Sequence, residues 1–535
     1  MHAERDGRFW IIGRARLDDR ESLCRKLLTA PTDSDILLCL RSYAKWGEQS
    51  PEHLQGDFCF VLWDEDRRHL FSVRDQLGVR PLFYAQTGAT WLVSDSVDAI
   101  CDNSQVCRDI DDHWIYEFLT EGRSLDFQKS IYREIRRLPP AHTLTLSSEK
   151  AALRRYWALH IQAPLFYDDE KTYIERFHEL LGSAIRDRLP QGQLGIAMSG
   201  GLDSTTLAAK AVTLLGDASR VVADTCYFDR LIPDDEKRFS SLVTSRLGVR
   251  HTLRPLDDKY YDPIWHTRVI HTPEPTFQIT RAVLGRQIDL EMAKEASVWF
   301  FGEGPDNALT FEWNAYIRWL WSNSEWRRAC AAGIWCLFGR KSRAWHAIML
   351  RGATMWRKAD TEGPQPSDWL NVEFVKRMEL AQTSEEPRGL GKSPHPWRPR
   401  ALASFSDPIW PQFLEAFDET LTGAPIEYRH PFLDLRVLTF LLSVPPVPWA
   451  RRKLLIREAM KDALPIEVLS RDKAPLIENP LMKLVQEHPL PVDPLCEEMK
   501  NYVDERKVPS RPSDASETEA VIRVRILDHW LKNRR

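Results

Sequence analysis

The stretch LGIAMSGGLDSTTL, residues 194–207, decides the fold. A short apolar run, a pair of glycines and a set of helix formers read as a buried strand, a tight turn and a helix N-terminus. Adjacent glycines let the backbone approach an anion with no Cβ in the way. The first N–H groups of the following helix lack intrahelical partners and carry partial positive charge, so the outline is that of a phosphate site. Ser199 and Ser204 add hydroxyl donors, and Asp203 is placed to hold the magnesium ion that accompanies a nucleotide. A Gly-Gly pair also occurs in turns that merely join a core strand to a helix, so the companions of the stretch carry the argument.

Downstream, the pattern alternates strand and helix. Residues 221–228 read as a second buried strand, 235–247 as a helix, 251–256 as a third strand and 298–301 as a fourth, which ends in Gly302-Glu303-Gly304-Pro305-Asp306. This alternation predicts a doubly wound parallel sheet, with ligands at the carboxyl ends of the strands. Both glycine motifs fall at such ends. Upstream, residues 9–12, 58–63, 69–73, 82–84 and 91–93 are short apolar runs bounded by Gly, Asp or Pro, with one helix over 33–46, so a β-rich domain is expected. Residues 160–167 have no periodicity and precede an acidic helix start at Asp168-Asp169-Glu170, which divides the chain into domains 1–160 and 161–535.

At 535 residues the chain needs more than one core, and 43% hydrophobic with 28% charged residues describes a soluble globular protein. A formal charge of −4 supplies no field toward nucleic acid or anionic lipid. The nine cysteines are scattered, with no Cys-x-x-Cys pair, as in reduced thiols rather than a disulfide frame or zinc site. The opening MHAERDGRFW lacks the pattern of a signal peptide and no apolar run approaches membrane-spanning length, so a cytoplasmic protein without membrane insertion or nucleic-acid partner is expected. Residues 311–410 hold ten of the twenty tryptophans, among them Trp313, Trp319, Trp321, Trp326, Trp335, Trp345 and Trp356. They read as a helical layer packed on the sheet, and as a candidate groove for a peptide substrate.

Two sets of motifs carry a family resemblance. In the N-terminal part, Leu54-Gln55-Gly56-Asp57-Phe58, Leu62-Trp63-Asp64, Arg74-Asp75, residues 78–84, Leu138-Pro139-Pro140 and Tyr156-Trp157 resemble the glutamine amidotransferase-like domain of asparagine synthetases. In the C-terminal part, Ser199 to Ser204, Gly302-Glu303-Gly304-x-Asp306, Glu427-x-Arg429-x-Pro431-Phe432-x-Asp434 and Arg471-x-Lys473 resemble, in order, the synthetase domain of that superfamily. The resemblance covers most of residues 1–480. It implies an α/β protein with an N-terminal-nucleophile-hydrolase-like domain, then an ATP-pyrophosphatase domain of the adenine nucleotide α-hydrolase type. In that family the glutaminase cysteine follows the initiator methionine. Here His2 and Ala3 do, and Cys24, Cys39 and Cys59 fit core packing better than substitution for it, so a scaffold without glutaminase activity is expected.

The resemblance also assigns roles. Family members activate a carboxylate on the α-phosphate of ATP, release pyrophosphate, and let an amine displace AMP. Ser199, Gly200, Gly201, Leu202, Asp203 and Ser204, with Gly302 and Gly304, would cradle the pyrophosphate, and Asp203 and Asp306 would coordinate Mg2+. Lys473 would neutralise charge around the acyl-adenylate, and Glu303 and Glu427 form the acid/base pair that deprotonates the amine. From their place at strand ends, rather than from the resemblance, Ala197, Met198, Tyr227 and Phe228 are expected to line the adenine pocket. An ion pair of Glu427 with Arg429 or Arg457 is the plainer reading of that glutamate. The family's usual Gly-Glu-Gly-x-Asp-Glu is altered, since Asn307-Ala308-Leu309-Thr310 follows Asp306, which points to a changed amine side.

These features resemble most the branch that contains lasso-peptide cyclases and β-lactam synthetases. A lasso-peptide macrolactam synthetase is therefore expected, which joins an internal Asp or Glu of a core peptide to the peptide's N-terminus beside a leader peptidase and a leader-binding protein. An ammonia-using asparagine synthetase, a β-lactam synthetase-like cyclase, a tRNA-modifying ATP pyrophosphatase and a degenerate scaffold are the alternatives.

Overall fold

The computed structural model describes residues 1–148, 151–262, 264–267, 271–276, 279–338, 367–382, 395–472, 478–490 and 493–534. The N-terminal part contains β1 (His2–Asp6), β2 (Phe9–Leu17), β3 (Gly56–Asp64), β4 (His69–Arg74), β5 (Phe83–Thr87), β6 (Thr90–Ser94), β7 (Arg136–Arg137), β8 (His142–Leu146) and β9 (Ala151–Arg155). Six of them form an antiparallel sheet in the order β1-β2-β3-β4-β8-β9, and β6-β5-β7 form a second. In β3, Phe58, Phe60 and Leu62 turn toward the helix Asp35–Trp46, while Cys59 faces the smaller sheet. A strand buried on both faces loses the simple in–out alternation. Every strand expected in this region is present, and the helix starts where the Ser34 hydroxyl accepts from Leu37 N–H. Cys24, Cys39 and Cys59 are all buried, and burial raises the Cys39 thiol and lifts that of Cys59 to about 11. They are core residues, not nucleophiles.

The C-terminal part is a five-stranded parallel sheet of β10 (Leu194–Ala197), β11 (Val221–Tyr227), β12 (Arg250–Pro255), β13 (Val298–Phe300) and β14 (Glu427–Arg429), in the order β12-β11-β10-β13-β14. Helices Glu170–Arg186, Leu202–Leu215 and Glu236–Leu247 contribute to the main core on one face. Met292, near the end of the helix Ile279–Ala293, packs on the other face with Trp299 and Tyr428. Gly195 is needed where it stands, because a Cβ there would lie 2.1 Å from the Trp299 indole. The strand order reverses between β10 and β13, which opens a crevice at their carboxyl ends.

Helices Trp313–Ser322 and Trp326–Phe338 pack against each other, with Trp313, Trp319 and Trp335 against the main core and Trp321 and Trp326 more than half exposed. Trp345 and Trp356 lie outside the described residues. A further core joins the two halves of the chain: Trp114 and Phe118 of the helix Asp112–Glu121 share it with Trp265, Phe374 and, from the helix Ala515–Asn533, Trp530. The helix Ala515–Asn533 anchors the C-terminal end, with residues 526–531 buried on every side. Among the described residues, no helix is long and apolar enough to cross a membrane.

Candidate active site at the ends of the parallel strands

The turn after β10 is held by its own serines. Ser204 Oγ donates to Ser199 O at 2.8 Å, Gly201 N–H donates to Ser199 Oγ at 3.3 Å, and the two hydroxyls lie 3.2 Å apart. The glycines answer to close packing: a Cβ on Gly200 would sit 2.5 Å from Phe239 Cβ, and one on Gly302 would sit 3.0 Å from Ser204 N. The turn is therefore wedged between the helix Glu236–Leu247 and the end of β13, with the start of the helix Leu202–Leu215 facing the crevice. Such a cradle of backbone N–H groups with two carboxylates beside it fits a nucleotide triphosphate and its magnesium ion. Glu236 accepts from Gly200 N–H and also pairs with Arg471 at 3.0 Å.

Asp203 and Asp306, from different strand ends, meet at Lys453. Its Nζ is in contact with Asp203 Oδ2 and lies 2.6 Å from Asp306 Oδ1. Burial pulls the ammonium down, but the two carboxylates outweigh it and its pKa lies above the ordinary lysine value. Lys453 (φ 55°) and Arg452 (φ 52°) both have left-handed backbone, which costs L-residues about 1–2 kcal/mol each. Arg457 secures this turn by donating to the carbonyls of Arg452, Leu469 and Arg471. Sequence reasoning gave Lys453 no role, and its only signal is the cationic cluster Arg451-Arg452-Lys453 before an apolar helix. Lys473, to which the charge-neutralising role was assigned, lies outside the described residues.

These groups line a cavity of about 1940 Å³. Of the expected site residues, Ala197, Met198, Ser199, Gly201, Leu202, Asp203, Ser204, Gly302, Glu303 and Asp306 border it, whereas Gly200 and Gly304 support the turns from behind. Tyr227 and Phe228 stand elsewhere. Strand alternation turns Cys226 toward the cavity, and Phe228 joins the interdomain core, edge-on to Tyr260. Glu427 does not border the cavity either. It accepts from Arg80 and Arg429, both at 2.8 Å, and although burial alone would raise its pKa, these cations hold it below its ordinary value. Of the two arginines weighed for Glu427, Arg429 is the partner; Arg457 is spent on carbonyls. The expected Glu303–Glu427 pair is thus divided, with Glu303 in the cavity and Glu427 in an ion pair across the two parts of the chain.

The lining comes from both parts of the chain. Trp114, Phe118, Arg123 and Arg137 of the N-terminal part border the cavity together with Phe301, Phe413, Phe417 and Tyr428. The Phe417 ring lies 5.1 Å from Phe301 and 5.0 Å from Tyr428, in aromatic contact. No described tryptophan of residues 311–410 borders the cavity, so the groove expected of that segment is not formed by its described tryptophans.

Residues 176–533 match the asparagine synthase family and residues 15–157 match a glutamine amidotransferase domain. An asparagine synthetase (glutamine-hydrolyzing) 3 of Bacillus subtilis is 23% identical over 463 residues, 83% of this chain and 70% of that protein. The amidase chyE of Penicillium rubens is 26% identical over 258 residues, 44% of this chain and 37% of its own length. Among solved structures, an NH3-dependent NAD synthetase from Campylobacter jejuni is 12% identical with a TM-score of 0.21, covering 42% of this chain and all of its own.

Proposed function

The chain belongs to the asparagine synthase family, and from that premise we propose that it closes an amide bond within a peptide, as a macrolactam cyclase of the lasso-peptide type. The coarser activity is that of an ATP-dependent carbon–nitrogen ligase forming AMP and pyrophosphate. The loop of residues 199–204 would hold the phosphates, Asp203 and Asp306 would hold magnesium, and that ion would draw charge off the departing pyrophosphate. Lys453 and Arg471 stand beside them as fixed cations, positioned before charge develops. Glu303, which borders the cavity, would take a proton from the attacking amine.

The observation that carries the peptide reading is the size of the cavity. At about 1940 Å³ it is roughly twice the upper end of a pocket for a drug-sized ligand, about 1,000 Å³. ATP with a free amino acid leaves much of it vacant, and its aromatic lining suits a chain of side chains. A leader peptidase and a leader-binding protein are the partners proposed for such a substrate.

The test is to incubate the protein with ATP, Mg2+ and peptides that carry a free N-terminus and an internal Asp or Glu. Loss of one water from a peptide, with one AMP formed per product, is the expected result. Formation of asparagine from aspartate and ammonium, with no peptide product, would make it an asparagine synthetase.

A further inference from the structure

Both halves of a magnesium–phosphate ion pair have side-chain stand-ins in the crevice. On the cation side, the Lys453 ammonium sits between Asp203 and Asp306; the lysine and Asp203 are mostly shielded, at 16% and 15% side-chain exposure, and Asp306 is exposed at 42%. On the anion side, the Glu236 carboxylate accepts from Gly200 N–H of the phosphate loop and pairs with Arg471. The lysine is held there by construction: two successive left-handed residues, secured by Arg457, aim it at the carboxylates. Strain of this kind persists only where surrounding structure over-determines it, and it concentrates at functional positions.

We propose that Lys453 is the internal counter-ion of the magnesium seat, neutralising Asp203 and Asp306 until nucleotide and metal arrive together. The inference rests on the reading of those two aspartates as the seat. An ammonium in contact with both carboxylates repels a divalent cation and occupies one oxygen of each, so free metal binds weakly. A triphosphate brings new anionic partners for the ammonium and releases the carboxylates to the metal. Metal therefore enters with ATP rather than ahead of it, and Glu236 gives up the Gly200 N–H in the same exchange.

The probe is Mn2+ alone, titrated into the full-length protein and followed by the paramagnetic resonance signal of the free ion. Without nucleotide, Lys453→Met, which keeps length and removes charge, is expected to bind Mn2+ at least tenfold more tightly than the wild type, and Lys453→Arg to stay within threefold of it. The gain is expected to vanish in the double variant Lys453→Met, Asp306→Asn. With ATP present, Lys453→Met is expected to bind the Mn2+–ATP complex more weakly than the wild type, reversing the order. Lys453→Gln provides a second uncharged variant should the Met variant unfold on heating below the wild-type range. Equal nucleotide-free affinity in the wild type and the uncharged variants, with Mn2+–ATP binding intact, would overturn the counter-ion and leave the seat standing. Absence of Mn2+ binding in every variant, with or without ATP, would overturn both.

Discussion

A buried carboxylate takes its role from the cations around it. Glu427, held by Arg80 and Arg429 at a depressed pKa, is a structural anion, whereas Glu303 faces the cavity. Glu427→Gln should therefore lower the melting temperature, by a loss of about 1–3 kcal/mol, while product formation stays within about tenfold. Glu303→Gln should fold normally and lose about 10²–10⁴ in rate; a pH–rate profile for each variant checks the assignment. His430 is buried, and burial, with Arg188, Arg80 and Arg16 outweighing Asp57, lowers its pKa to about 4 from an ordinary 6.5. The folded protein thus refuses a proton that the unfolded chain accepts below pH 6.5, so stability falls as pH drops from 6.5 toward 4, by ~1.4 kcal/mol per unit. Denaturant unfolding between pH 4.5 and 6.5 should give a shallower slope for His430→Asn. Asp203, Asp306 and Glu303 were legible because their glycine neighbours announce them. Lys453 was not, because a backbone turn of positive φ at a non-glycine residue leaves no mark in composition. The partner of Glu427 was half legible: Arg429 is two residues away, but Arg80 is separated by 347 positions.

The strand–turn–helix after β10 is the element on which the site depends. Its strand, glycines and helix were read from residues 194–207 alone, since local propensity, pattern and turn chemistry agree there. What the pattern could not supply is the reason for Gly195, whose missing Cβ makes room for Trp299 on the next strand. Gly195→Ala should destabilise by about 1–3 kcal/mol through overpacking, measured by urea unfolding, and lower ATP affinity as the loop shifts. Gly302→Ala crowds Ser204 N at 3.0 Å. It should weaken ATP binding in calorimetry while leaving the urea midpoint nearly unchanged. The strand end at residues 226–228 was misread by one position, because a continuous apolar run does not reveal which of its faces is open to the crevice.

At the scale of the molecule, the two halves are joined by ions as well as by a core. Arg74, fully buried, pairs with Glu415, which also lies 3.3 Å from Arg137, and Asp418 receives both Arg14 and Arg80. Glu415→Gln leaves the buried Arg74 without a carboxylate, while Arg137 keeps Glu274 at 2.5 Å, and should cost about 3–5 kcal/mol. Calorimetry should show one shared transition moving down, whereas two separate transitions would mean that the halves fold independently. Domain order was legible from motif order, but the interface was not, since each ion pair joins residues hundreds of positions apart. The same interface lines part of the cavity, and the cavity's breadth is the reason for proposing a peptide rather than a free amino acid. The decisive measurement is carboxylate-dependent exchange of labelled pyrophosphate into ATP, with free aspartate and with peptides carrying an internal Asp or Glu. A peptide-activating ligase gives exchange driven by a peptide and none by aspartate; exchange driven by aspartate, or none with any carboxylate, would rule it out.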